Sequence, residues 1–291
     1  MLILVEGPLD STRSDDRHGV VAAAQALGHR VHLVPKNGSL AIAEPVIEGG
    51  DFAWGVLYGI AFSPARYERL HDEARALNIT LLNDPTQHRD AEELDRTVGL
   101  LDGLTARTEV VKHVSEVEAA LHRRPPPVFI RGAVNSAKEL GWKACVADTL
   151  PEAQTLVTKL LALSEYSRGR ALLREVLPLR RLDKMHEGFP LSREYRLFVL
   201  DADVLAVGPY WVSEDPFGAL TERDEREIRA LAHEVAKRTK VPWLAVDVGQ
   251  LESGDWRVIE TADPSCTGLA SVDPRNLLAA LASGLEQRAG C

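Results

Sequence analysis

Over the first hundred residues, short apolar runs alternate with helical stretches, and that βαβ rhythm admits few folds. Residues 2–5 form an apolar run, and residues 19–27 an Ala-rich helical stretch stopped by Gly28. Residues 31–34, 52–60 and 79–82 read as further strands, and residues 66–77 as a second helix. The pattern predicts a small parallel sheet covered by helices. Ligands of such sheets bind beyond the carboxyl ends of the strands. Here those ends are the loop 6–13, the turn after Ile60, and Asn83. The opening run stops at Glu6 and lacks a basic flank, so it reads as a first buried strand and not as a signal peptide.

A helix over 92–101 leaves this unit, and the rhythm then changes. Residues 109–114 are strand-like, residues 116–122 helical, and three prolines make a stiff break at 125–127. A strand at 128–131 is followed by a small polar loop and by residues 143–146, which read as its hairpin partner. A helix at 152–163 precedes strands at 171–177, 194–200 and 204–212, the last two joined at Asp201-Ala-Asp203 as an antiparallel hairpin. Residues 222–240 form an amphipathic helix. Residues 243–251 and 256–261 pair across Ser253-Gly-Asp255, and a helix over 276–286 follows. The fold class is α/β at the start and α+β beyond it.

Charge and composition narrow the function. The net charge of −9 is the reverse of what a duplex-coating protein carries, and 5% aromatic residues leave little for base stacking, so nucleic acid is not an expected partner. No apolar run approaches the roughly 20 residues that cross a bilayer, so no membrane role is expected. Cys145, Cys266 and Cys291 are far apart and odd in number, which fits neither a CxxC metal motif nor a disulfide framework and points to a reducing cytoplasm.

Three clusters carry chemistry. Asp247 lies in the apolar strand Trp243-Leu-Ala-Val-Asp-Val-Gly249, Glu260 ends the next apolar strand, and Asp263 follows it. A buried carboxylate is costly unless paired or bound to a cation. Three such oxygen donors suit Mg2+, which takes a few carboxylates and completes its shell with phosphate and water. Capping acids at hairpin ends are the plainer reading. In the second cluster, Arg131 ends a buried strand, a Gly/Ser loop carries Lys138, and Lys143 opens the next strand, so the hairpin could fold over a polyphosphate. A solvated hairpin with snorkelling cations is its rival. In the third, Glu194 and Arg196 share one face of a strand whose other face is Tyr195, Leu197 and Val199. Arg196 could hold a phosphate or a carboxylate, or pair with Glu194 or another acid.

These clusters, in this order, resemble the ATP-grasp superfamily, and most of all its divergent clade of CDC123-type and uncharacterised bacterial and phage proteins. The resemblance runs from about Thr105 to Leu269. It implies a pre-ATP-grasp α/β domain over 1–103, a lid subdomain over 104–175 and a C-terminal subdomain with the metal site over 176–291. Arg131, in Phe129-Ile-Arg-Gly132, matches the first lid cation, where better-known members have Lys; Lys143, in Gly141-Trp-Lys-Ala-Cys145, matches the second. Arg193-Glu-Tyr-Arg196 is similar to the clade's Arg-Glu-Phe-Arg motif and makes Arg196 the catalytic cation. Glu175, Val176 and Leu177 match the linker that holds adenine, and Asp247, Glu260 and Asp263 the metal-binding acids. Ala262 stands where the usual Glu-x-Asn motif has Asn, which leaves Asp263 to compensate.

The implied cofactors are ATP and Mg2+, and the implied reaction joins a small-molecule or peptide carboxylate to an amine through an acyl phosphate. An ATP-binding assembly factor or protein-modifying module that grips a protein partner is the alternative. Arg13 and Ser11 in the first strand-end loop, Glu194 and Tyr210 are the candidate substrate residues. A homodimer is left open.

Overall fold

The computed structural model describes residues 1–7, 9, 16–36, 39–40, 53–59, 63–211 and 214–289. The N-terminal sheet is parallel throughout: β1 (Leu2–Gly7), β2 (Arg30–Pro35), β3 (Ala53–Tyr58) and β4 (Ile79–Leu81), in the order β2-β1-β3-β4. The first helix, α1 (Asp16–Ala26), packs on one face of this sheet and the second, α2 (Pro64–Ala76), on the other. Helix α2 starts where its sequence says it should: Pro64 opens it and the Ser63 side chain accepts the backbone N–H of Arg66. Asn83-Asp84-Pro85 ends the sheet and opens α3 (Pro85–Glu92), with a capping box between Asp84 and Gln87. The helix expected over 92–101 is instead α3 followed by the single turn α4 (Leu94–Thr97).

The lid is an antiparallel sheet of β5 (Thr108–Val111), β6 (Val128–Gly132), β7 (Val146–Ala147) and β8 (Ala171–Glu175), in the order β5-β8-β6-β7. Helices α5 (Val117–Arg123) and α6 (Leu150–Ala162) cover it, and the turn α7 (Ser164–Ser167) closes against the end of β6. The predicted strand over 143–146 is only β7; Lys138–Leu140 and Trp142–Ala144 are 3-10 turns joined by Gly141 at φ +85°. A hairpin of β9 (Arg181–His186) and β10 (Phe189–Ser192) was not expected from the sequence.

The central sheet is antiparallel, in the order β12-β11-β13-β14: β11 (Glu194–Leu200), β12 (Asp203–Pro209), β13 (Trp243–Gln250) and β14 (Trp256–Ala262). Asp201 and Ala202 both take positive φ, which makes the tight hairpin between β11 and β12. Strand alternation sets the two faces. Tyr195, Leu197, Val199, Val246 and Val248 pack beneath α8 (Glu222–Thr239), while Phe198, Leu200, Trp243 and Ala245 face the N-terminal sheet and α9 (Pro274–Ala289). No helix among the described residues is long and apolar enough to cross a membrane. The fold is thus the expected parallel α/β unit followed by an α+β body.

Candidate active site

A cleft lies between the lid and the central sheet. Its apolar half is a cavity of about 600 Å3 walled by Phe129, Trp142, Phe189, Val176, Leu177 and Ile259. Glu175, Val176 and Leu177 all line it, because β8 ends there and the chain turns across the mouth. The cations Arg131, Lys138 and Arg174 and the acids Glu194 and Glu260 line the same space. Lys138 stands 5.9 Å from the Phe189 ring and 5.5 Å from the Trp211 ring and pairs with no carboxylate among the described residues.

The 3-10 turns place the two lid lysines, both expected at the phosphates, in different surroundings. Lys143 points away from the cleft: its side chain is 77% exposed and bonds Asp148 at 3.1 Å. Its expected place on a strand beside the phosphates is corrected by this geometry, and Lys138 faces the cleft instead.

Arg131, 3% exposed at the end of β6, donates to Glu260 on β14 and to the carbonyl of Val134. Arg196 on β11 donates from Nε and Nη2 to both oxygens of Asp247 on β13, at 2.8 and 2.7 Å. Cross-strand register aligns Arg196 with Asp247 and Asp247 with Glu260. The result is an alternating row, Arg196, Asp247, Glu260, Arg131, across three strands and the lid. Burial opposes ionisation of Glu260, but Arg131, Lys138 and Arg196 outweigh it and hold its carboxyl down to about 2. Glu194 is not the partner of Arg196; its carboxyl is pushed up by burial, against the pull of Lys138.

Asp263, expected beside Asp247 and Glu260 at the metal, sits in a buried hydrogen-bond set of its own. Its Oδ1 accepts from the backbone N–H and hydroxyl of Ser265, at 2.8 and 2.6 Å, and its Oδ2 is held by Asn83 and His88, at 2.8 and 3.0 Å. Both oxygens are therefore committed within the protein, and no trio of His, Cys, Asp or Glu able to hold a metal gathers among the described residues. Asp247 and Glu260 alone stay adjacent on the cleft face.

The polar half of the cleft, about 1040 Å3, opens toward the carboxyl ends of the N-terminal sheet. Arg196, Tyr210, Glu260, Glu92, Arg168 and Thr261 line it. The Arg196 guanidinium lies 4.7 Å from the Tyr210 ring. Burial, helped by the like charges of Asp263 and Glu260 against the pull of His88, raises the Glu92 carboxyl to about 7. Arg13 and Ser11 fall outside the described residues.

Three groups escaped the sequence reading. Arg174 is buried and forms no ion pair among the described residues, donating to the Ile259 carbonyl and the Thr105 hydroxyl, and burial together with the like charge of Arg131, against the pull of Glu260, pushes its guanidinium down. Its signal was available, a lone cation in the apolar run Ala171-Leu-Leu-Arg174. Glu92 and the residues Asn83 and His88 had none, since their partners lie 160 or more positions away.

Similarity to solved structures lies in the fold. The RimK domain ATP-grasp protein of Sphaerobacter thermophilus is 17% identical, with a TM-score of 0.63 over 96% of this chain and 98% of that one. A D-cycloserine synthetase is 16% identical, with a TM-score of 0.64 over 98% and 99%. The D-alanine–D-alanine ligase of Bacillus anthracis is 11% identical, with a TM-score of 0.63 over 99% and 98%. At these identities the likeness shows a shared fold. No curated protein matches the chain. The model of an ATP-grasp domain, the third family of its clade, matches residues 113–281, more than half of the sequence, and the chain belongs to that ATP-grasp family.

Proposed function

We propose that the protein is an ATP- and Mg2+-dependent ligase that joins a carboxylate to an amine through an acyl phosphate, releasing ADP and phosphate. The observation that carries this reading is the joining of two unlike cavities at one carboxylate, Glu260, which lines both. The apolar cavity suits a planar base between Trp142, Phe189 and Val176, with the segment 175–177 at its edge. The polar cavity suits two small polar reactants. The solved structures of similar fold include ligases by name.

The donor set fits the implied ion. Two adjacent carboxylates, Asp247 and Glu260, match Mg2+ that completes its shell with phosphate and water. Bound there with ATP, the ion would neutralise charge on the phosphates. Arg131 and Lys138 would orient those phosphates from the lid side. Arg196, fixed on a strand by Asp247 and by the Gly268 carbonyl at 2.7 Å, would face the acyl group as negative charge develops. Tyr210 would pack the reactants against that guanidinium.

The test is ATP binding by calorimetry with and without Mg2+, followed by ADP release over a panel of amino acids and small carboxylates. Binding that tightens with Mg2+ and turnover with some donor and acceptor are the expected results. Equal affinity in EDTA would remove Asp247 and Glu260 as an ion site, and tight binding with no turnover would favour the partner-gripping alternative.

A further inference from the structure

We propose that the outer edge of β12 is a docking site for an extended, basic segment of a partner protein; the inference stands apart from the ligase reading. The central sheet has two edge strands, β14 and β12, and the molecule treats them differently. The edge of β14 is covered: the Val258 N–H donates to the Leu104 carbonyl, while the Thr105 hydroxyl and Arg174 donate to the carbonyls of Val258 and Ile259. The edge of β12 is closed only at its ends. Arg229 donates to the Val204 carbonyl at 3.2 Å, and the Ser271 N–H to the Pro209 carbonyl at 3.1 Å. Strand alternation aims the Val207 backbone the same way as that of Pro209, out of the sheet, and nothing among the described residues bonds it there. Such unpaired edges are templates for another chain, and natural sheets blunt them with lysine or proline. Leu205, Ala206, Val207 and Gly208, between the two closed ends, include neither.

This open stretch lines a groove of about 1460 Å3 that shares no lining residue with either half of the cleft. Residues 214–220 bound it on one side, where Leu220 packs toward α8, and residues 271–276 on the other, where Val272 packs toward α9. Gly208 permits this closeness, since a Cβ there would meet the Val272 side chain at 2.8 Å. Charge selects the occupant. Four acids line the groove, Glu214, Asp215, Glu225 and Asp273, against one cation, Arg229. Arg229 pairs with Glu225, and Asp215 with Arg193. Glu214 and Asp273 are exposed, and neither pairs with a cation among the described residues. A second copy of this chain, pairing edge to edge, would set these acids against their own duplicates. A strand with Lys or Arg at alternate positions instead lays its main chain on Val207 and a row of positive charge against the acids.

Fluorescence anisotropy with the full chain tests this. The probes are labelled hexapeptides of alternating Lys and Val, of alternating Glu and Val, and the lysine peptide N-methylated at every residue, which keeps its charge but donates no main-chain hydrogen bond. The lysine peptide should bind, bind less as salt rises, and slow the exchange of the Val207 amide measured by NMR. The other two should not bind. The double variant Glu214→Gln, Asp273→Asn should hold the lysine peptide about threefold to thirtyfold more weakly, the range of two exposed ion pairs. Asn at 273 keeps the cap that Asp273 gives the Asn276 N–H, so α9 is left intact. No binding of the lysine peptide, equal binding of the Lys and Glu peptides, binding of the N-methylated form, undiminished binding by the double variant, or unchanged exchange at Val207 would each overturn the site. Slow exchange at Val207 before any peptide is added would overturn it too. In a dimer, by sedimentation, that result gives the edge to a second copy; in a monomer it gives the edge to the chain itself.

Discussion

The row Arg196, Asp247, Glu260, Arg131 puts each candidate ion ligand against its own guanidinium. Such pairs cost much in lost solvation, and removing one partner strands a buried charge. Arg196→Ala should therefore destabilise the protein by about 3–5 kcal/mol, measured by urea unfolding. Adding Asp247→Asn should restore most of that loss, whereas adding Glu194→Ala should restore none, because Arg196 bonds Asp247. Turnover should stay low in both double variants. Stability recovered by Glu194→Ala would mean that the pairing is misassigned. Period-2 alternation made Arg196 legible on the strand face opposite Tyr195 and Leu197, but its partner was not, because Asp247 lies 51 positions on. The partners of Asp263 were hidden for the same reason: spacing to Glu260 is visible in the sequence, while Asn83 and His88 are not.

At the scale of elements, long apolar runs were legible and short polar ones were not. Residues 194–200 are buried throughout and the strand was found to the residue. The β9–β10 hairpin is largely exposed along β9, carries Pro190, and shows no alternation to read. The lid loop misled for a related reason. Gly141 at φ +85° breaks the chain into two 3-10 turns, so Lys138 enters the cleft and Lys143 leaves it. Lys138→Ala should then weaken ATP binding by about 1.5–3 kcal/mol, the scale of a charged hydrogen bond, and Lys143→Ala should leave it unchanged. Calorimetry on the two variants checks this, and a larger loss in Lys143→Ala would restore the hairpin arrangement. Gly132, directly after Arg131, supports the same end of the lid: a Cβ there would collide with the Tyr166 carbonyl, so only glycine lets α7 close on β6.

Across the whole molecule, the N-terminal unit is tied into the body. The apolar run of β1 announced burial on both faces, and Leu2 and Leu4 pack against Tyr67 and Leu70 of α2. What covers Ile3 and Val5 could not be read, since it is Phe198, Leu200 and Trp243 of the central sheet with Leu277 and Leu281 of α9. Asn83 fastens the two units beside this shared core. It donates to the Trp243 carbonyl at 2.7 Å and to Asp263 at 2.8 Å, and accepts the Trp243 backbone N–H at 3.0 Å, all buried. Asn83→Ala leaves those groups without partners and should cost about 2–4 kcal/mol, at roughly 1–3 kcal/mol for each group that finds no water. Asn83→Asp should cost more, although it is nearly the same shape. It would set a second carboxylate against Asp263 where an N–H now lies, and like charges held together out of water repel. Differential scanning calorimetry should show a single transition in the parent protein, shifted down in Asn83→Ala and further down in Asn83→Asp. Protonation removes the repulsion, so the gap between the two variants should shrink as the pH falls through the carboxylate range. Two separate transitions in the parent, or Asn83→Asp as stable as Asn83→Ala at neutral pH, would mean that the N-terminal unit is held by something other than this contact.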